Sequence, residues 1–299
     1  MTAATTLGPL FWHWPAEARR DFYFRIADEA PVAAVSLGEV VCAKRAPFFA
    51  LFLQEVTERL RAGGKQVLLA TPAVVAGPGE LAAIAEAAAG GALVEANDIT
   101  AIAALDGRRF VSGPLVNLFH EGTLDVLTRA GACRFVAPVE LSRPAIARLA
   151  AHAPDCAAEV TIFGRQPLAI AMRCYHARAY GLHKDACRFV CERDPAGLPA
   201  DQLDGAPLLR INGTQTLSAG YLVGLREIAG LLADGVTHLR LSPEHGVDMV
   251  AVARLVGRVA AAELDPAEAE AALRALTGPV PWHNGFLHAH PGMDWVAAA

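Results

Sequence analysis

The sequence predicts an α/β protein that folds as a (β/α)-barrel-like single domain over residues 1–299. Three observations lead to this fold class. Short apolar runs, each interpreted as a strand, alternate with stretches of helical period. Eight of these apolar runs lie before residue 242, and the chain length suits one barrel. A doubly wound open sheet is the alternative, but no G-x-G-x-x-G fingerprint follows a strand to favour it.

The predicted strands are short and almost continuously apolar, as expected for a parallel sheet that helices cover. They span residues 10–14, 32–37, 66–71, 93–96, 110–116, 134–138, 159–163 and 238–241. Helices are predicted between them, with glycines after several helical stretches where a C-terminal cap favours positive φ. Those helices span residues 16–29, 47–62, 79–89, 99–105, 123–130 and 143–151.

The alternation breaks after the seventh strand. Residues 171–206 have no sustained period and are rich in Cys, His, Arg, Asp, Gly and Pro, which predicts a cysteine-rich insertion that needs something to order it. A long helix is predicted over 217–233 before the last strand, and irregular structure over 279–295.

Composition excludes several classes of protein. Hydrophobic residues make up 54% of the chain, too many for a disordered protein, and the net charge of −5 argues against a nucleic-acid partner. No apolar run reaches the roughly 18–20 residues of a spanning helix, so no transmembrane segment is predicted. The first residues lack the basic start of a signal peptide, and a cytoplasmic location is expected.

Six cysteines occur, and a disulfide framework is not expected in a cytosolic chain of this size. Cys174, Cys187 and Cys191 fall in the aperiodic segment, and Cys187 and Cys191 would share one face if they lay on a helical turn. Cys42 follows the second predicted strand, at the end where barrels carry functional loops. The wide, unequal spacing favours an iron–sulfur cluster, while zinc and unligated thiols stay open as alternatives.

The other two cysteines, Cys133 and Cys156, are interpreted as small buried hydrophobic residues. Three polar residues of the aperiodic segment lie near its three cysteines, and they are expected to donate hydrogen bonds or positive charge near sulfur. They are His176, His183 and Lys184.

Polar residues at the predicted strand ends are candidates for proton transfer or for binding an anion. Their alternative role is structural: Glu39 and Glu140 would then be buried partners of Arg45 or Arg143 that hold loops in place. The candidates are Glu39, Asn117, His120, Glu121, Glu140 and Arg165.

Several short segments spread along the chain together form a recognisable pattern. The segments are 14–15 (WP), 37–45 (LGEVVCAKR), 113–117 (GPLVN), 138–142 (PVELS), 164–169 (GRQPLA), 172–174 (MRC), 184–187 (KDAC), 187–191 (CRFVC), 211–218 (INGTQTLS) and 284–286 (NGF). With them the chain resembles the collagenase-like peptidase superfamily, most closely its UbiV-type branch of oxygen-independent ubiquinone biosynthesis proteins. A departure lies at 288–291 (HAHP), where a glycine-rich stretch is expected.

The resemblance implies a (β/α)-barrel and a 4Fe-4S cluster held by Cys42, Cys174, Cys187 and Cys191. It implies a heterodimer with a homologous UbiU-type subunit and cooperation with a UbiT-type lipid-binding protein. The implied activity is hydroxylation of the aromatic ring of a ubiquinone precursor without dioxygen.

Two other functions stay open at the level of sequence. One is a non-catalytic scaffold subunit whose zinc or cluster only orders the insertion. The other is a peptidase, although the chain has neither a G-x-S-x-G elbow nor an H-E-x-x-H pair.

Overall fold

The computed structural model describes residues 3–297, in which short strands alternate with helices through most of the chain. The strands are β1 (Ala4–Leu7), β2 (Ala34–Gly38), β3 (Gln66–Ala70), β4 (Leu93–Ala96), β5 (Phe110–Ser112), β6 (Ala132–Val136), β7 (Ala157–Gly164), β8 (Pro167–Ile170), β9 (Leu198–Ala200), β10 (Leu209–Asn212), β11 (Gln215–Ser218), β12 (Tyr221–Val223), β13 (Val236–Leu241) and β14 (Trp282–His283).

The helices begin and end within a few residues of glycines, prolines and short polar caps. No helix within residues 3–297 has both the length and the apolar character needed to cross a bilayer. The α-helices are α1 (Ala16–Glu29), α2 (Ala50–Ala62), α3 (Pro78–Ala89), α4 (Ile99–Leu105), α5 (Glu121–Arg129), α6 (Arg143–His152), α7 (Tyr175–Ala179), α8 (Ile228–Ala233), α9 (Met249–Ala260) and α10 (Pro266–Thr277).

Eight parallel strands form a closed barrel. Their order is β13-β1-β2-β3-β4-β5-β6-β7, and β13 also pairs with β7, which closes the ring. The main apolar core lies between this barrel and the surrounding helices. The predicted fold class, an α/β single domain of the (β/α)-barrel type, is therefore confirmed.

The barrel interior contains an apolar cluster and a layer of buried charge. Ala34, Leu68, Val111 and Val136 form a cluster separate from the main core. The Arg240 guanidinium lies among the Glu95 and Glu159 carboxylates, with Nη2 2.8 Å from one Glu95 oxygen and Nη1 3.0 Å from one Glu159 oxygen. Arg134 also donates to Glu159, at 3.1 Å. Buried carboxylates are expensive unless paired, so these two arginines make the polar layer tolerable inside the barrel.

The insertion after β7 is built on a second, antiparallel sheet with the order β8-β11-β10-β9. The three-cysteine segment, residues 171–197, lies between β8 and β9. The chain returns through β12, which pairs with the end of β7, and then continues through α8 to β13. The small sheet thus places the cysteines beside the carboxyl ends of the barrel strands.

The prediction of a first strand at 10–14 is wrong. The first barrel strand is β1, and the chain leaves it at Gly8, whose N–H donates to the carbonyl of Leu241 at 2.8 Å. Pro9 has no N–H for a further ladder bond. Residues 10–12 are buried because they cross the barrel mouth, where the Trp12 indole donates to the carbonyl of Pro243 at 3.0 Å.

The prediction of one helix over 217–233 is also wrong. The segment begins in β11, continues as β12, and is helical only in α8. A side chain at Gly220 would place its Cβ 2.6 Å from the carbonyl oxygen of Pro281, so the backbones approach too closely for any other residue. A glycine such as Gly220 also lowers the stability of a helix, and a prediction made only from the number of apolar residues in 217–233 does not take this into account.

Candidate functional site

The four cysteines singled out from the sequence line one cavity beside the small sheet. Cys42 comes from the loop after β2, and Cys174, Cys187 and Cys191 come from the three-cysteine segment. The remaining lining residues are Lys44, Arg45, His176, Lys184, Phe189, Val190 and Gly213. We call this space the thiol cavity. The fold therefore brings together one cysteine and three others that lie more than a hundred residues further along the chain.

The Cys42 loop is held by hydrogen bonds to its backbone. One carboxylate oxygen of Glu39 accepts from the N–H groups of Val41 (3.3 Å) and Cys42 (3.1 Å). The Thr214 hydroxyl donates to the carbonyl of Val41 at 2.8 Å. Glu39 thus orders the loop from the barrel side, and Thr214 ties it to the β10–β11 turn.

The three-cysteine segment positions its thiols through short turns. Cys174 caps α7, and its Sγ accepts from the Ala177 N–H at 3.4 Å. Arg188 and Phe189 both adopt positive φ, 50° and 52°. The spacing of Cys187 and Cys191 would have allowed both to lie on one helical turn. The structure does not have such a turn there, although both cysteines line the cavity. Left-handed backbone at non-glycine residues costs energy and is often found at functional sites.

Arg45 is a fully buried cation at the wall of the thiol cavity. Its Nη1 donates to the carbonyl of Phe11 (3.0 Å) and its Nη2 to the Asn212 side-chain oxygen (2.9 Å). Its Nε has no hydrogen-bond partner within residues 3–297. Gly213 leaves room for this side chain, because a Cβ there would lie 2.6 Å from Nη2.

Burial and charge act in opposite directions on the thiols. Burial raises the pKa of Cys42, Cys174 and Cys191 above that of a free thiol, and the positive charge of Arg45 opposes this rise at all three. A thiolate here therefore needs a further positive partner besides Arg45.

A buried histidine ties the segment together behind the cysteines. His176 is fully buried, and its Nε2 lies 2.7 Å from a carboxylate oxygen of Asp194. The Tyr180 hydroxyl donates to the same carboxylate at 2.8 Å. These contacts join α7 to the end of the turn that carries Cys191. Lys184 also lines the cavity, as expected, whereas His183 is not among its lining residues.

The other candidate residues do not gather at the thiol cavity. Glu140 and Asn117 line a separate space at the barrel mouth, and Glu140 is exposed rather than a buried partner of Arg143. His120 accepts a hydrogen bond from the Thr123 N–H as the N-cap of α5, and Glu121 begins that helix.

Arg165 is buried and already partnered. Its backbone N–H donates to Glu244 at 2.6 Å, its guanidinium donates to the carbonyls of Ser218 and Ala219, and it stacks over the Tyr221 ring at 4.6 Å. These contacts attach the end of β7 to the returning chain.

Cys133 and Cys156 stand apart from the thiol cavity. Cys156 is buried, and the half-buried Cys133 thiol donates to the carbonyl of Phe110 at 3.3 Å. They are suitable controls for substitutions at the other four. Sequence reasoning gave no role to Gly213 or Thr214, although an Asn-Gly pair between two apolar runs is a hairpin signal.

No group of three or more His, Cys, Asp or Glu side chains within residues 3–297 is arranged to hold a single metal ion. The thiols of a multi-iron cluster bind different irons several ångströms apart, so they do not converge on one point.

The fold and the site define a closed parallel barrel with an insertion that presents cysteines at one end of the barrel. The chain belongs to peptidase family U32, whose model matches residues 20–296. This confirms the predicted kinship with the collagenase-like peptidases at the level of the family.

The chain also has a low similarity to solved structures that are remote in sequence. A tryptophan synthase complex from Pyrococcus furiosus has 13% identity and a TM-score of 0.38, with 92% of this chain and 98% of that chain covered. Dihydropteroate synthase from Thermus thermophilus has 15% identity and a TM-score of 0.43, with 85% and 92% covered.

Proposed function

We propose that this chain is the iron–sulfur subunit of a heterodimeric, oxygen-independent hydroxylase that acts on the aromatic ring of ubiquinone precursors. Its partners in this proposal are a homologous UbiU-type subunit and a UbiT-type lipid-binding protein. The observation that carries the proposal is the meeting of Cys42 with Cys174, Cys187 and Cys191 at one cavity. The chain-long resemblance to the UbiV-type branch supplies the reaction and the partners.

The donor set fits a 4Fe-4S cluster. Four cysteines provide one thiolate for each iron, and the cavity wall carries the cations Arg45, Lys44 and Lys184, which oppose the negative charge of ligated thiolates. Such a cluster, when bound, takes up and releases single electrons.

The residues of the chain have defined tasks in this proposal. Cys42, Cys174, Cys187 and Cys191 hold the cluster, while Glu39 and Thr214 keep the Cys42 loop in place. Arg45 supplies a fixed buried positive charge beside the sulfurs, a usual means of tuning a cluster.

Metal content tests the cluster. Protein purified without oxygen should contain about four irons and about four acid-labile sulfides per chain. It should be brown and give an electron paramagnetic resonance signal after one-electron reduction. Cys174→Ser should lose most of this iron, and the matched variant Cys133→Ser should keep it. A colourless protein with stoichiometric zinc would contradict the proposal.

Turnover tests the assignment as a hydroxylase subunit. The chain, co-purified anaerobically with its homologous subunit, should support ring hydroxylation of a prenylated phenol, and Cys174→Ala should abolish it. Full turnover by a soluble, partner-bound Cys174→Ala would instead indicate a non-catalytic scaffold. Hydrolysis of unfolded collagen that survives removal of metal would indicate a peptidase.

A further inference from the structure

A pair of aromatic rings joins the two parts of the chain that carry the four cysteines. The ring centroids of Phe48 and Phe189 are 4.6 Å apart, and the rings meet edge to face at an interplanar angle of 68°. The His13 ring packs against both, with centroid distances of 5.2 Å to Phe48 and 6.0 Å to Phe189. Aromatic pairs with this spacing and geometry attract each other beyond their burial of apolar area. We call these three side chains the aromatic clamp.

Each ring of the pair belongs to a short helix that holds a cysteine. Cys42 is the N-cap of a 3₁₀ helix, and Phe48 is the last residue of that helix. Phe189 is the N-cap of a second 3₁₀ helix, which contains Cys191. Cys187 lies two residues before Phe189. Contact between the two rings therefore joins the helix of Cys42 to the turn that carries Cys187 and Cys191.

The backbone at Phe189 is in a costly conformation. Arg188 and Phe189 are consecutive residues with φ of 50° and 52°, in the left-handed region that non-glycine residues rarely adopt. Such a conformation persists only where the surrounding contacts determine it. The half-buried Phe189 ring contacts the clamp and also lines the thiol cavity. The clamp thus supplies contacts that can keep this turn in place.

His13 contributes to the clamp as an uncharged ring. Its side chain is buried, and burial, together with the positive charges of Arg45 and Arg19, lowers its pKa to about 4. The imidazole is therefore neutral at physiological pH, and it packs against the two phenylalanines without adding another cation beside Arg45.

An ion pair also joins the same two parts of the chain, but it is exposed to solvent. Lys44 Nζ donates to the carbonyl of Lys184 at 3.0 Å and to a carboxylate oxygen of Asp185 at 2.8 Å. The side chains of Lys44 and Asp185 are 38% and 95% exposed. Ion pairs at such positions contribute little and are screened by salt. We therefore expect the aromatic clamp to be the stronger of these two contacts.

From these observations we infer that Phe48 and Phe189 are positioning residues for the thiol cavity. Their contact holds Cys187 and Cys191 towards Cys42 and limits the access of bulky reagents to the thiols. This role belongs to the metal-free chain. Its consequence for a bound cluster rests on the proposed function.

Cysteine labelling of the full-length, reduced and metal-free protein tests the positioning role. A bulky fluorescein maleimide should label Cys187 and Cys191 about 2–10-fold faster in Phe48→Ala, because the lost aromatic pair favours the closed arrangement by about that factor. Phe189→Ala loses the contacts to both other rings and should have the larger effect. Cys156, buried in the main core, is the internal reference, and its labelling should not change. Mass spectrometry of the peptides measures the rate at each cysteine.

Three further variants separate the ring contact from other causes. Phe48→Tyr keeps the ring and should be labelled like the unaltered protein. Phe119→Ala removes a ring that is exposed to a similar extent, 44% against 47% for Phe48, but lies outside the clamp, and it should also be labelled like the unaltered protein. Asp185→Asn breaks the exposed ion pair and should change the rates by less than about twofold.

Two labelling results would overturn the inference. One is an unchanged rate at Cys187 and Cys191 in both Phe48→Ala and Phe189→Ala. The other is an equal acceleration at Cys156, because it would show that the substitution only destabilises the whole fold.

The iron-loaded protein gives a second measurement. In Phe48→Ala, a chelator should remove iron about 2–10-fold faster than from the unaltered protein. The midpoint potential should become more positive, because water that reaches the site stabilises the more negatively charged reduced form. Phe119→Ala should change neither quantity. Unaltered protein that binds no iron would overturn the proposed function, and the labelling rates would still decide the role of the clamp. Iron-loaded protein whose metal-free form shows unchanged labelling would overturn the clamp alone.

Discussion

Single side chains decide how the thiol cavity is built. Arg45 is the clearest example, because the chain buries a guanidinium beside three cysteines, where Nη1 and Nη2 donate to a backbone carbonyl and to the Asn212 amide. Burial acts to lower the pKa of Arg45, but the negative charge of the buried Glu39 carboxylate opposes this and keeps the pKa above its ordinary value. Gly213 has the complementary role, since its missing side chain gives the cation its space.

Gly213→Ala should destabilise the protein. Its φ is +66°, and the added Cβ would meet Arg45, so about 1–3 kcal/mol should be lost from the free energy of unfolding. Gly257→Ala is the control, because that glycine lies in α9 with open space around it and alanine favours helix. Denaturant unfolding measures both, and equal effects would contradict the steric argument.

Glu244 should give stability a pH dependence. Burial raises the pKa of its carboxyl from 4.5 to about 7, although Arg165 opposes the rise. The folded state therefore holds a proton that the unfolded state has released, and the free energy of unfolding falls as the pH rises between these values. Glu244→Gln should remove this decline. The free energy of unfolding of the variant, measured relative to that of the unaltered protein, should therefore rise by up to about 3 kcal/mol between pH 4.5 and pH 7. A pH-independent difference between the two would contradict this account.

At the scale of elements, periodicity and composition predicted most of the barrel. Seven of the eight barrel strands and the helices α1 to α6 were predicted at their observed places, because each buries an apolar face. The end of β5 was wrong, since the strand stops at Ser112, four residues before its predicted end. The failures share one cause. Residues 10–14 and 217–233 are apolar because they cover the barrel end, and burial there does not specify a strand or a helix.

The cysteine site could not be predicted from periodicity, as the strands and helices were. Spacing alone left a cluster, zinc and free thiols open, and only the tertiary structure could bring Cys42 to the other three.

The polar layer inside the barrel should depend on Arg240. Burial acts to raise the pKa of Glu159, but Arg240 and Arg134 keep it below its ordinary value. Its contribution to stability is therefore present above pH 4.5 and is lost as the pH falls further. Arg240→Met should cost about 3–5 kcal/mol, because it leaves Glu95 and Glu159 without their shared cation.

Arg254→Met provides the comparison for that substitution. Arg254 is exposed on α9 and donates to the carbonyl of Glu29 at 3.3 Å. Its loss should change the free energy of unfolding by no more than about 0.5 kcal/mol. Similar losses for both arginines in denaturant titrations would contradict the assigned importance of the interior layer.

For the whole molecule, if the proposed cluster is bound, the barrel and the insertion should respond differently to its removal. The barrel is closed by its own strand pairing, whereas the three-cysteine segment has only α7 and short turns between β8 and β9. Chelation should therefore leave the far-ultraviolet circular dichroism nearly unchanged while trypsin gains access to residues 171–197. Mass spectrometry of the fragments locates the cuts, and cleavage spread over the barrel would contradict this expectation.

The position of β1 between β2 and β13 affects how the protein is made. On the ribosome, the first strand emerges early, yet one of its two neighbours is not synthesised until about residue 241. The nascent polypeptide thus exposes an open sheet edge through most of translation, which favours chaperone engagement. Cys42 is likewise synthesised long before Cys191. A metal centre that needs both cysteines would therefore form late in synthesis and would not start the folding of the chain.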